Sequence, residues 1–560
     1  MPLKPVFPRA PFTRAAFAYL PYTAVTCQGA VADRLNRLIP SLSAMTLTAP
    51  VLEALLPAAY LTGKSDTAAK CEEALQQLVA NQGPGGDLPG EGWSEKISLC
   101  LALMAWYEAK RPEAVLPCLL KFCQHLWDNW ESLTSDSPAM AASGEMMQVL
   151  SWLYHVTGKK PLLKLMDRLR LDALDWTSHF HTFSVVKPMD RMVPMSDLEA
   201  DMALENGDIG GFYTRQYYMT HGEYLARSLK TPALFAQVSG SLKEKGAPKA
   251  GYQKVMRYHG AANGMFNEEP LLSGGDPAQS CGMANAGEWA VSLGEVYHLQ
   301  GEGEIADALE QVVYNGLMAG ESQGLIQPRQ AVNTIEPQAY PYVQPKEAPK
   351  ALMGLVKGLC ALARQQYLAL ENEGVAVTAY ESSKLHWRIR GVNVNLSLTG
   401  CYPKTGKMTL AVDCKTPVAF DVKLRIPGWC QDACITVNDE GGEAPKAGEM
   451  FTISRTWRKG DQVTIDLPMP LRSQTWYHQT IAAFKGPQLM ALDSLKGPWR
   501  YALEVGDEVV GYAAPGWDEV KGKPKMPPAA PKAEGEGTVL PMVPYGETQV
   551  HMAQFPQVAK

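Results

Sequence analysis

Two adjacent carboxylates, Glu268 and Glu269, stand between Phe266-Asn267 and Pro270 in the glycine-bounded loop Gly264–Gly274. A carboxylic acid stays protonated near neutral pH when burial or a close like charge raises its pKa, and it then serves as a general acid. The same residues also suit an ordinary solvated acidic loop. Glu205 and Asp208, in Leu204-Glu-Asn-Gly-Asp-Ile-Gly-Gly-Phe-Tyr213, form a second carboxylate group flanked by glycines. Glycine lets backbone and ligand approach closely. Two carboxylates across one bond are the machinery of glycoside hydrolysis, with their separation setting inversion or retention. A plain Asn-Gly-Asp turn is the competing reading. His221 suits hydrogen bonding to hydroxyls or proton transfer near neutral pH, and equally a structurally satisfied imidazole.

Other reactive side chains lack partners in the sequence. His179 and His181, in Ser178-His-Phe-His, would point the same way on a strand, yet no nearby Cys or carboxylate completes a metal site. Cys281 has no adjacent base and reads as a buried thiol. Trp93, Trp127, Trp130 and Trp176 could stack on sugar faces, but their helical spacing favours the core.

Composition narrows the classes. With 560 residues the chain is expected to form two or three domains. A net charge of -6 with no basic run argues against nucleic-acid binding. No apolar run reaches membrane-helix length, and Met1-Pro-Leu-Lys-Pro-Val-Phe-Pro lacks the apolar centre of a signal peptide. Eleven scattered cysteines, several within helix patterns, suggest reduced thiols and a cytoplasmic address.

The elements that must position these groups fall into two regimes. From about residue 50 to 370, apolar residues recur at helical period between Gly, Pro and Asp turns. Such runs cover 93–110, 114–133, 144–169, 287–299, 305–318 and 351–371. Near residue 375 the period becomes two, as in Trp387-Arg-Ile-Arg-Gly-Val-Asn-Val-Asn-Leu-Ser-Leu, and again over 408–413, 419–426, 452–454 and 463–467. That alternation predicts an antiparallel sandwich. A Pro- and Lys-rich stretch, 521–532, reads as a surface loop, and 538–555 returns to strand character.

A set of ordered motifs runs through both regimes. Toward the C-terminus stand Arg425-Ile-Pro-Gly-Trp-Cys, Trp457-Arg-Lys-Gly-Asp, Leu467-Pro-Met-Pro-Leu-Arg, Lys485-Gly-Pro-Gln-Leu, Trp499-Arg-Tyr-Ala-Leu and Val543-Pro-Tyr-Gly-Glu-Thr. Earlier come Gly144-Glu-Met-Met-Gln-Val-Leu, His221-Gly, Gly264-Met-Phe-Asn-Glu-Glu-Pro and Tyr314-Asn-Gly. In these the chain resembles the DUF1680 group, which includes glycoside hydrolase family 127, the β-L-arabinofuranosidases. The resemblance implies an N-terminal (α/α)6 barrel followed by antiparallel β-sandwich modules. It places the general acid on Glu269 or its neighbour Glu268, and Glu145 where the family carries a substrate-contacting histidine. It places His221 in the family's other active-site histidine region. Family 127 is similar in using a thiolate held on zinc by one Glu and three Cys; here Gly282 and Ala284 fall at the Glu-x-Cys positions. The stretch 338–350, where a Cys-Cys pair belongs, contains no cysteine.

The expected organisation is therefore a barrel over 1–375, a β-sandwich over 376–475 and a second β-rich domain over 476–560. The expected function is hydrolysis of a small oligosaccharide or glycoside by carboxylates, without zinc or any other cofactor. Glu269, Glu268 and Asp208 would be catalytic, with Glu145, His221 and Glu205 binding substrate. The alternatives are a non-catalytic sugar-binding descendant and a structural protein. The partner would be a small carbohydrate, with neither nucleic acid nor membrane, and a homodimer is left open.

Overall fold

A computed structural model of the chain describes residues 4–134, 137–189, 216–520, 523–527 and 534–558. Among the described residues, six inner helical segments pack in succession and close a ring. They are Ala49–Leu61, Gly92–Lys110, Ser143–Thr157, the consecutive pair Gly222–Ser228 and Thr231–Ser239, Met283–Gln300, and Pro349–Ala363. Outer helices alternate with them along the chain, which is the (α/α)6 barrel. The inner helices are buried nearly all round, as Ser143–Thr157 illustrates with eleven buried residues from Ser143 to Tyr154. A helix of that kind must be wrapped by others. Left-handed Gly158, Gly240 and Gly301 end three of the helices, each reversing the chain at a C-cap.

The run 351–371 is not one helix. Helix ends at Ala363 and Tyr367–Ala369 is a strand, because its apolar side chains fill a sheet of the next domain. Ile305–Met318 likewise changes midway, from α-helix at Gly303–Gln311 to a π-helical turn at Val312–Leu317.

Two sheets follow. One orders Ala18–Tyr19, Tyr367–Ala369, Val375–Val377, Val418–Arg425 and Met450–Trp457. The other orders Glu440–Glu443, Cys434–Val437, Gln462–Asp466, Lys407–Cys414, Val392–Gly400, Ser383–Ile389 and Val25–Cys27. Strand Lys407–Cys414 buries every second residue, as its alternation predicts. Residues 18–27, which lie in the expected barrel segment, thus lend an edge strand to each sheet. A last sheet over Leu471–Pro556 and a three-stranded one over Tyr501–Val539 complete the C-terminal end.

The sequence motifs prove to be joints. Arg425 is buried and pairs with Asp307 at 2.5 Å and Glu310 at 2.6 Å, tying the sandwich to a barrel helix. Asn315 donates to Pro487 O at 3.1 Å and accepts from Leu489 N at 2.8 Å, so Tyr314-Asn-Gly clasps Lys485-Gly-Pro-Gln-Leu. Tyr545 donates its hydroxyl to Ala331 O at 3.0 Å.

Candidate active site

The loop 260–282 joins an outer helix, Leu242–His259, to the inner helix Met283–Gln300. Two buried side chains hold it. His259 Nδ1 accepts from Gly274 N at 2.9 Å while Nε2 donates to Val185 O at 2.7 Å, which assigns the proton to Nε2. Asn267 Nδ2 donates to Gly274 O and Asp276 O at 2.9 and 3.0 Å. The loop presents its acidic pair in two different environments.

Glu268 is 1% exposed and Glu269 is exposed. Glu268 Oε1 accepts from Gly282 N at 2.6 Å and lies 3.2 Å from Arg329. Glu269 Oε1 accepts from Ser280 Oγ at 2.8 Å, and that hydroxyl accepts from Arg329 Nε at 3.0 Å. Arg329 therefore bridges the pair, one directly and one through Ser280. Burial pushes the Glu268 carboxyl above the ordinary glutamate range, although Arg329, the Gly282 N–H and the Asn285 amide pull against it.

His221 is beside this loop: its backbone bridges Leu271, and Gly222 N donates to Pro270 O at 2.9 Å. A Cβ on Gly222 would meet Glu268 Cγ at 2.4 Å, so only glycine allows this approach. His221 caps the helix Gly222–Ser228, its Nδ1 accepting from Glu223 N at 3.2 Å, and the neutral ring keeps its proton on Nε2. Burial lowers its pKa against the opposing charge of Glu223. Tyr217 and Tyr224 flank it, with ring centroids 5.2 and 5.5 Å away.

Glu145 lies elsewhere, inside the barrel, and is 3% exposed. Arg227 holds both its oxygens, at 2.8 and 2.5 Å, and Lys230 lies 3.6 Å away. Burial alone would raise its pKa, but Arg227 and Lys230 outweigh that and hold the carboxylate ionised, well below the usual range. Glu205 and Asp208 lie outside the described residues. The structure thus brings Glu268, Glu269 and His221 together and sets Glu145 apart in an ion pair.

Arg329 and Ser280 were missed in the sequence. Nothing in the spacing of Pro328-Arg-Gln to the acidic pair signals their meeting. His179 and His181 are on a helix, Trp176–Thr182, rather than a strand, so two residues of separation points them to different sides. His179 packs among Trp176, Phe180 and Phe183, and His181 bonds Lys243 O at 2.8 Å. Trp93, Trp130 and Trp176 are buried; Trp127 is exposed beneath Arg168.

The residues do not fit a zinc-thiolate centre. At Gly282, where the resemblance would put a glutamate ligand, a Cβ would face Glu268 Oε1 at 3.0 Å and Arg329 at 3.4 Å. A guanidinium and a carboxylate therefore fill this corner. Cys281 next door is buried, its thiol held well above its usual pKa by burial and by Glu268, which disfavours the thiolate. Among the described residues no group of three His, Cys, Asp or Glu side chains could hold a metal.

Residues 374–469 match the family model described as Beta-L-arabinofuranosidase, GH127 middle domain. The resemblance to GH127 stands. In fold, the chain is similar to a solved structure titled "Glycoside hydrolase", at TM-score 0.75 and 15% identity, covering 99% of this chain and 100% of that one. It is also similar to a GH127 β-L-arabinofuranosidase from Geobacillus stearothermophilus T6, at TM-score 0.62, 18% identity and 94% coverage of both chains. A third likeness is to a GH127 β-arabinofuranosidase, at TM-score 0.65 and 15% identity, over 97% of this chain and 98% of that one. No curated protein matches the chain. At these identities the GH127 likeness speaks for architecture.

Proposed function

We propose that this chain is a glycoside hydrolase acting on a small oligosaccharide or glycoside, with Glu268 as its general acid. The observation that carries the reading is the contrast within the acidic pair. Glu268 is buried with a raised pKa, whereas Glu269 is exposed and tied to Ser280. A glycosidic oxygen is a poor leaving group and takes a proton as its bond breaks, so of the two carboxyls the one whose pKa burial raises is the better acid. His221 Nε2–H is the nearby donor for a sugar hydroxyl.

The chemistry proposed is carboxylate-based and independent of zinc, in line with Gly282, Ala284 and the buried thiol of Cys281. The second carboxylate would come from Glu205 or Asp208, which lie outside the described residues. All eleven cysteines are free, which supports a reducing, cytoplasmic compartment.

The ion pair with Arg329 favours a second reading, a sugar-binding site without catalysis, because a guanidinium stabilises the ionised carboxylate. One experiment separates them. A panel of nitrophenyl glycosides is screened for turnover, and the best substrate is tested with Glu268→Gln and Glu269→Gln. Turnover lost only with Glu268→Gln supports the hydrolase; sugar binding without turnover in the unaltered protein supports the second reading.

A further inference from the structure

Ser280 bonds both members of the acidic pair and their counter-charge. Its backbone oxygen accepts from Glu268 N at 2.9 Å. Its hydroxyl donates to Glu269 Oε1 at 2.8 Å and accepts from Arg329 Nε at 3.0 Å. The serine is buried, which strengthens these bonds.

Strand register explains the meeting. Ser280–Gly282 pairs antiparallel with Arg329–Ala331, with Gly282 opposite Arg329 and Ser280 opposite Ala331. Side chains alternate between faces along a strand, so Ser280, Gly282 and Arg329 share one face. Ser280 is then the diagonal neighbour of Arg329, within reach of a long side chain. Gly282 leaves the space between them open: a Cβ there would stand 3.4 Å from Arg329 Nη1. The guanidinium lies over this glycine and ends at Glu268. Its Nη2 is 3.2 Å from Glu268 Oε1 and also bonds Glu268 O.

An ion pair alone would hold this guanidinium loosely. The Arg329 side chain is 38% exposed, and ordering a long side chain offsets most of the gain from one such pair. An arginine fork is held firmly when two of its prongs are bonded at once. Here Nη2 meets Glu268 while Nε donates to the Ser280 hydroxyl. Arginine can only donate, so the serine proton goes to Glu269. Glu269 thereby turns a lone pair of the hydroxyl toward the guanidinium.

The titratable groups around Glu268 are few. The buried Cys281 thiol is close enough for Glu268 to raise its pKa, and Glu269 follows in the chain. His221 neighbours Gly222, the residue packed on Glu268 Cγ. Among the described residues Arg329 is the one cation within 4 Å of the Glu268 carboxylate. Displacing it therefore changes how readily Glu268 holds a proton.

We propose that Ser280 is a positioning residue for the acid: its hydroxyl, turned by Glu269, fixes the Arg329 guanidinium against the Glu268 carboxylate. Its importance to turnover rests on Glu268 being the general acid, but the positioning itself is measured without substrate.

The test is a carbon-13 NMR titration of the full chain with its glutamates labelled at Cδ. The Glu268 signal is assigned by its loss in Glu268→Gln. In Ser280→Ala the Glu268 pKa should rise by about half a pH unit, because losing one prong frees the guanidinium toward solvent. In an Arg329→Met background, Ser280→Ala should move it no further, since the serine then has nothing to hold. If Ser280→Ala fails to fold, Ser280→Cys, which keeps the shape and bonds only weakly, takes its place with the same expectations. The inference is overturned if the serine variant leaves the Glu268 pKa unchanged or lowers it. It is equally overturned if the rise is as large in the Arg329→Met background, since Ser280 then acts on the loop and not through Arg329. The hydrolase reading fails on a different result, full turnover in Glu268→Gln, which leaves this titration standing.

Discussion

Glu268 and Arg329 form an ion pair at 3.2 Å in which the carboxylate is 1% exposed and the guanidinium 38% exposed. Desolvation raises the pKa of the Glu268 carboxyl while Arg329 restrains the rise. Once a substrate is found, Glu268→Gln should lower kcat by about 10²–10⁴-fold and Glu269→Gln by less than about tenfold. Removing the counter-charge with Arg329→Met should raise the Glu268 pKa further and move the alkaline limb of the kcat profile to higher pH. An unchanged or downward-shifted limb would show that Glu268 is not the group that profile reports.

The charged layer inside the barrel makes a prediction about stability. Glu145→Ala leaves Arg227 and Lys230 facing each other in the interior and should cost about 3–5 kcal/mol. Replacing both partners, Glu145→Met with Arg227→Met, should recover at least half of that loss. Denaturant midpoints of the two variants decide it; a double variant as unstable as the single one would mean packing, not charge, is what Glu145 supplies.

Acid sensitivity should come from buried histidines. Burial lowers His155, His179 and His551 to about 4. Their folded pKa values lie below the unfolded value near 6.5, so the unfolded chain binds more protons across that window. Stability is then fully present above about pH 6.5 and falls as pH drops toward about 4. His551 is fully buried, and its share is on the order of 3 kcal/mol. In urea titrations between pH 8 and 5, His551→Gln should flatten part of the slope, and an identical slope would rule the residue out.

Metal analysis provides an independent check on the chemistry. Protein purified without chelators should carry well under one zinc per chain, and chelation should leave turnover of the best glycoside unchanged. One tightly bound zinc per chain, or activity lost to chelator and restored by zinc, would contradict the carboxylate reading.

Both regimes of this fold were legible in the sequence because period is a local property. Whether side chains recur every three to four residues or every second one is decided within a turn or a strand, so the helical and alternating regions announce themselves. The acidic loop was also visible, since Glu268 and Glu269 are neighbours. Which of them is buried was not, because that depends on Gly222, Gly282 and Arg329 arriving from elsewhere. Arg329 is 61 residues from Glu268, and Arg227 is 82 from Glu145. Ala18–Tyr19 and Val25–Cys27 are too short to carry a period, and their partners, Leu368–Ala369 and Ser383–Leu385, follow the last barrel helix, more than three hundred residues away. Periodicity chose the architecture; only tertiary packing decided which carboxylate loses water, since desolvation and charge pairing depend on distances in space and not along the chain.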